Sequence, residues 1–176
     1  VYENEYRNEG GTWKIHGLHL YPTMITPYES GWGRQSLPAS RFEPALKPDA
    51  PSSGASTSDR PFTPPYHYGH PVRDARASSA TTLPRAALDE RQLASAIDAL
   101  ERQLGRTEDR ASIENLQTAY GYYLATLLWD DLAALFAQDG TIEIALRGVY
   151  VGRPAVRRNL NLYGQAGLDD GVLHNH

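Results

Sequence analysis

With 176 residues, 40% of them hydrophobic and 22% charged, the chain suits one or two soluble globular domains. A formal net charge of −4 argues against nucleic acid as a partner, and no apolar run approaches the roughly 20 residues of a membrane span. There is no cysteine, so disulfide and thiolate chemistry are excluded and the compartment stays open.

Residues 1–21 read as a β-hairpin. Tyr2, Asn4 and Tyr6 alternate with Glu3 and Glu5, and an Arg7-Asn8-Glu9-Gly10-Gly11 turn leads into a second run. There Trp13 and Ile15 share one face, and Lys14 and His16 the other. Gly17 suggests a bulge, which leaves the parity of His19 and Tyr21 open. The expected pairing is Tyr2–Tyr6 against Trp13–Leu18.

Residues 22–84 hold every proline except Pro154. No period persists, and Pro and Ser at this density prevent regular ladders. The span reads as a Pro-rich tail and linker, with no helix or strand of eight residues between Lys47 and Ala80.

Residues 85–176 return to periodic structure. Leu93, Ile97, Leu100 and Leu104 form a narrow stripe, expected to pack on its own domain, with a partner-binding or coiled helix as the other reading. Ile113, Leu116, Tyr120, Leu124 and Leu127 form a second helix, with Ser112 as a cap. A third, short helix is capped by Asp130 or Asp131, buries Leu132, Leu135 and Phe136, and ends at Asp139-Gly140. Ile142, Ile144 and Leu146 alternate with Glu143 and Ala145 as a half-buried strand. Pro154 opens a last helix, whose buried face is Val156, Leu160 and Tyr163. Arg153, Arg157 and Arg158 are too few for a phosphate footprint and read as a solvated helix face. Val172 to His176 begins another strand.

AYGYY (119–123), WDDLAALFAQDGTIEI (129–144) and RGVYVGRPAVR (147–157) resemble the start of a SnoaL-like domain of the NTF2-like superfamily. That group includes polyketide cyclases, scytalone dehydratase and ketosteroid isomerase. YENEYRNEGGTWKIHGLHLYPT (2–23) resembles the end of such a domain. The resemblance implies an α+β cone, with helices packed on a curved antiparallel sheet around one apolar pocket. Its parts stand here in permuted order, closing strands first. Two arrangements explain this: a piece of a tandem protein, consistent with a start at Val1 rather than Met, or a permuted cone. A lone strand leaves backbone groups unpaired and a lone hairpin is marginal, so both halves are expected to share one sheet, within the chain or between copies.

The resemblance also places chemistry. His176 falls where the dehydratases carry a histidine acting as general acid/base, and His174 shares its strand face. Tyr120 matches the tyrosine that donates to the oxyanion in ketosteroid isomerases. The isomerase's catalytic aspartate aligns with Ile144. The carboxylate that orients the dehydratase histidine would fall near Ala125, where Asp130 or Glu143 are the candidate substitutes. Tyr2, Asn4, Tyr6, Tyr21, Tyr123 and Trp129 are candidates to line the pocket, since polar-tipped aromatics suit a ring-shaped ligand. Asn4 has a strong claim, because an apolar core has no use for an amide without a partner.

The leading expectation is a cofactor-free lyase or isomerase acting on a small aromatic or polyketide-like molecule. The alternative is a non-catalytic ligand-binding, dimerisation or assembly module. No metal is expected: His67, His70, His174 and His176 form no recognisable ligand motif. A homo-oligomer or strand sharing with another copy is the expected assembly.

Overall fold

The computed structural model describes residues 2–21, 46–52, 89–144 and 147–167. The chain divides into two units, one of Pro65–Glu114 and one of the remaining residues.

The hairpin forms as its pattern dictates. Strands β1 (Tyr2–Glu9) and β2 (Thr12–Leu20) pair antiparallel, with Glu9 opposite Thr12. Gly10 and Gly11 both take positive φ, +61° and +91°, the conformation a two-residue hairpin turn requires. The Gly11 N–H donates to Asn8 Oδ1 at 2.8 Å. The register shifts between Glu5, opposite Gly17, and Tyr6, opposite Ile15. His16 is therefore the extra residue, one place from the expected bulge.

Helix α1 (Glu90–Ala125) replaces the two helices expected at 85–104 and 113–127. Nothing between them breaks a helix: Gly105 is tolerated, and Arg110 pairs with Glu114 one turn on at 2.8 Å. Ser112 is no cap; its Oγ donates back to the Glu108 carbonyl. The start lies at Asp89, whose Oδ1 accepts from Gln92 N at 2.8 Å while Gln92 Oε1 accepts from Asp89 N. This is a reciprocal capping box. The end is a Schellman closure: Leu128 N donates to Tyr123 O, Leu127 N to Leu124 O, and Leu127 sits at φ +56°. In the first unit, Leu93, Ile97, Leu100 and Leu104 are about half exposed.

Helix α2 (Trp129–Ala134) is shorter than expected, and Leu128 rather than Asp130 or Asp131 precedes it, with no side-chain cap. Phe136 already belongs to β3 (Phe136–Ile144), so Asp139-Gly140 lies within a strand and ends no helix. The reason is a close approach. A Cβ on Gly140 would lie 2.9 Å from the Ile15 carbonyl oxygen and 3.1 Å from that of Ala137. Between the pairs Ile15–Phe136 and Gly17–Thr141 the ladder shifts, and the glycine occupies that crowded irregularity.

Strand β4 (Gly148–Val151) pairs antiparallel with β3, and the sheet order is β1-β2-β3-β4. The junction of β2 with β3 is parallel, so the open sheet is mixed rather than wholly antiparallel. This junction unites the hairpin with the helical half, as expected. Helix α3 (Arg153–Leu160) and a 3-10 turn (Asn161–Tyr163) follow.

Ile15, Leu18, Tyr120, Leu124, Trp129, Leu132, Phe136, Ile142, Tyr150 and Val156 share one core on the helix-covered face. Each fully buried aliphatic contributes about 2 kcal/mol. Residues 46–52 contain no helix or strand of eight residues and lie along β4. Val149 N donates to Ala50 O, and Asp49 N and Ala50 N donate to Val149 O. Tyr150 Oη donates to Leu46 O at 2.7 Å. This covers an edge that would otherwise present unpaired backbone groups. The rest of the Pro-rich span lies outside the described residues.

The arginines of α3 are not merely solvated. Arg153 donates twice to the Phe136 carbonyl, Arg157 meets Asp130, and Arg158 meets Asp49 at 3.2 Å. They tie α3 to β3, α2 and residues 46–52.

Candidate functional site

On the core face of β1, Tyr2, Asn4 and Tyr6 follow one another at every second residue, about 7 Å apart. On α1, Gln117 and Tyr120 lie one turn apart on one face. Gln117 Nε2 donates to the Tyr6 hydroxyl, and the Tyr2 phenol lies within electrostatic reach of Tyr120. These two contacts align helix and strand, so Asn4 sits between the Tyr6–Gln117 end and the Tyr2–Tyr120 end.

Tyr120 is 9% exposed and packs on Phe136, ring centroids 6.5 Å apart. Its hydroxyl makes no hydrogen bond among the described residues. Burial, then the neighbouring Tyr2 and Tyr163 phenols, push its pKa far above the ordinary value. Tyr120 is therefore a neutral donor at any physiological pH. Tyr163 is pushed up to about 12 by burial and by Tyr2, against the opposing pull of Arg147. Its ring lies 6.4 Å from that of Trp129. Tyr2 is half exposed, and partial burial raises it as well.

Among the described residues, Asn4 Oδ1, His16 Nδ1, Arg147 Nε and both amide atoms of Asn159, a residue with no exposed surface, are buried without hydrogen-bond partners. Buried amides without partners are costly.

Of the other candidates, Tyr123 is partly buried against the core. Trp129 is 1% exposed and donates its indole N–H to Gly164 O at 3.1 Å, the role of a core anchor. Ile144 is buried at the end of β3. Tyr21 is not brought to this set. The His16 bulge turns His19 and Tyr21 to the opposite sheet face, where their rings stack at 6.4 Å. His174 and His176 lie outside the described residues.

Neither substitute carboxylate reaches Tyr120's face. Glu143 pairs across the ladder with His19, its Oε2 3.2 Å from Nδ1. Its burial corrects the half-buried reading of β3: both faces of that strand are covered. Asp130 is 88% exposed at its side chain and holds Arg157. Sequence reasoning missed Gln117, Asn159 and the His19–Glu143 pair. Gln117 was legible as the residue one turn before Tyr120. The His19–Glu143 pair needed the register of a parallel junction that no local pattern encodes. Among the described residues, no group of three or more His, Cys, Asp or Glu side chains is placed to hold a metal ion, and no helix is long and apolar enough to cross a membrane.

Residues 105–176 match the model of a family described as SnoaL-like domain. The hairpin lies outside the matched residues. No curated protein and no solved structure matches the chain.

Proposed function

We propose that this chain, whose residues 105–176 are a SnoaL-like domain of the NTF2-like superfamily, is a lyase or isomerase that needs no cofactor and acts on a small aromatic or polyketide-like molecule. The molecule lies between α1 and β1, against Tyr2, Asn4, Tyr6 and Tyr120. The observation that carries this reading is Tyr120: a buried, neutral phenol on the core face, its hydroxyl uncommitted among the described residues. Removal of a proton next to a ketone leaves charge on the carbonyl oxygen. A donor already in place and already desolvated stabilises that charge without reorganising. His176 takes the proton in this reading, by its resemblance to the dehydratase histidine, and returns one to carbon or to a leaving hydroxyl.

A second reading is a binding module without catalysis. The specific observation in its favour is that Glu143 and Asp130 are both committed elsewhere, and that Ile144 is apolar.

The test is exchange of the α-protons of 2-tetralone in deuterated buffer, followed by NMR. The expected result is exchange well above the buffer rate, slowed roughly a hundredfold in His176→Ala. Binding of the ketone with no exchange above buffer would select the module instead.

A further inference from the structure

The first part of α1 is exposed on every side. From Glu90 to Ser112 each residue except Ala96 and Gly105 is open to solvent. Leu93, Ile97, Leu100 and Leu104 are among them, at 50%, 47%, 51% and 58% exposure. Their steps of four, three and four residues are those of a heptad seam, with Ile97 and Leu104 at position a and Leu93 and Leu100 at position d. Ala94 and Glu101 flank the seam at e, and Ala96 and Gln103 flank it at g. No large apolar residue widens the stripe on either side. A helix that packs on a globular core carries a broader apolar face, and a strict a/d stripe is the width that one other helix covers.

We propose that this seam docks a second copy of the chain, with the two helices antiparallel. The flanking residues set the direction. In parallel helices a g residue faces the e residue of the following heptad on the other helix. That would set Asp89 against Ala94, Ala96 against Glu101 and Gln103 against Glu108, with no pair of opposite charges. In antiparallel helices g faces g and e faces e. With Ile97 against the partner's Leu100, and Leu93 against the partner's Leu104, Ala94 meets the partner's Glu101 and Ala96 meets the partner's Gln103. Asp89 then meets the partner's Arg110, and the two-fold axis makes that contact twice. Arg110 can hold Glu114 at 2.8 Å as well, because a guanidinium has five donors. The small side chains of Ala94 and Ala96 leave room for close approach. The seam is already helical before the copies meet, so little ordering opposes docking. Each copy uses the same face, so the contact closes on a dimer and does not propagate. The proposal is independent of the ligand site argued above.

Sedimentation equilibrium of the full chain between about 1 and 100 μM tests this, and a dimer is the expected result. Leu100→Lys places a charge in the seam and should weaken the dimer roughly a hundredfold or more. Ala99→Lys, an exposed neighbour off the seam, should leave it unchanged. Far-UV circular dichroism of both variants checks that the helix is kept. Direction is read without disturbing the seam. The chain has no cysteine, so Ser112→Cys carries a single spin label per copy. In the antiparallel register the two labels lie about 40 Å apart along the helix axis, whereas parallel helices bring them within about 20 Å. A monomer throughout the concentration range would overturn the proposal and leave the seam to another segment of the same chain. A dimer that Leu100→Lys leaves intact would overturn it too, because its contact would lie elsewhere. So would a dimer whose labels lie within about 20 Å.

Discussion

Asn159 and Tyr163 lie one turn apart, and each carries a polar group into the protein. Asn159 has both amide atoms buried and without partners. Leucine has nearly its volume and nothing to satisfy, so Asn159→Leu should stabilise the fold by about 1–2 kcal/mol in urea denaturation. A loss of stability would mean that the amide is satisfied in the native protein. Tyr163 gives a pH signature. Its pKa, about 12 when folded, exceeds the roughly 10 of an unfolded tyrosine. Below pH 10 it is neutral in both states and its contribution is complete. Between about 10 and 12 the unfolded chain ionises first, and the contribution is lost. Tyr163→Phe should remove that part of the alkaline fall in stability, measured as the pH slope of the unfolding free energy. An unchanged slope would show that the phenol is not desolvated.

At the scale of elements, the hairpin was legible in outline: alternation gave its two strands, but β1 runs on to Glu9 and the turn is only Gly10-Gly11, two residues where five were expected. The shortness of α2 was not legible. Asp139-Gly140 has the composition of a helix stop, and nothing local distinguishes that from a glycine required by the close approach of β2. The end of α1 was also hidden, because its left-handed residue is Leu127 where glycine is usual. Among the site residues, Tyr120 and Asn4 were readable as a polar group on an apolar stripe. Tyr21 was misplaced because a one-residue bulge reverses every side chain beyond it. The contact of residues 46–52 with β4 makes its own prediction. Gly148 takes φ +143°, and a Cβ there would lie 2.5 Å from Ala50 O and 2.6 Å from Pro48. Gly148→Ala should cost about 2 kcal/mol or more, seen as a lower urea midpoint with unchanged slope. A neutral result would show that residues 46–50 are not held on the sheet edge.

At the scale of the molecule, the hairpin and the helical half form one continuous sheet. The hairpin meets β3 by the parallel β2–β3 junction, and Ile15 and Leu18 of the hairpin complete the core of the helical half. The surroundings of Tyr120 are thus a product of both halves: Tyr2 comes from the hairpin, Tyr163 and Phe136 from the other. The most direct measurement is the exchange of 2-tetralone α-protons by Tyr120→Phe, alongside thermal unfolding of the same variant. Phenylalanine keeps the ring on Phe136 and removes only the donor. A fall in exchange rate of roughly a hundredfold or more, with unfolding unchanged, is the expected result. Exchange at the rate of the unaltered chain would contradict the account, because the group on which it turns would then be packing alone.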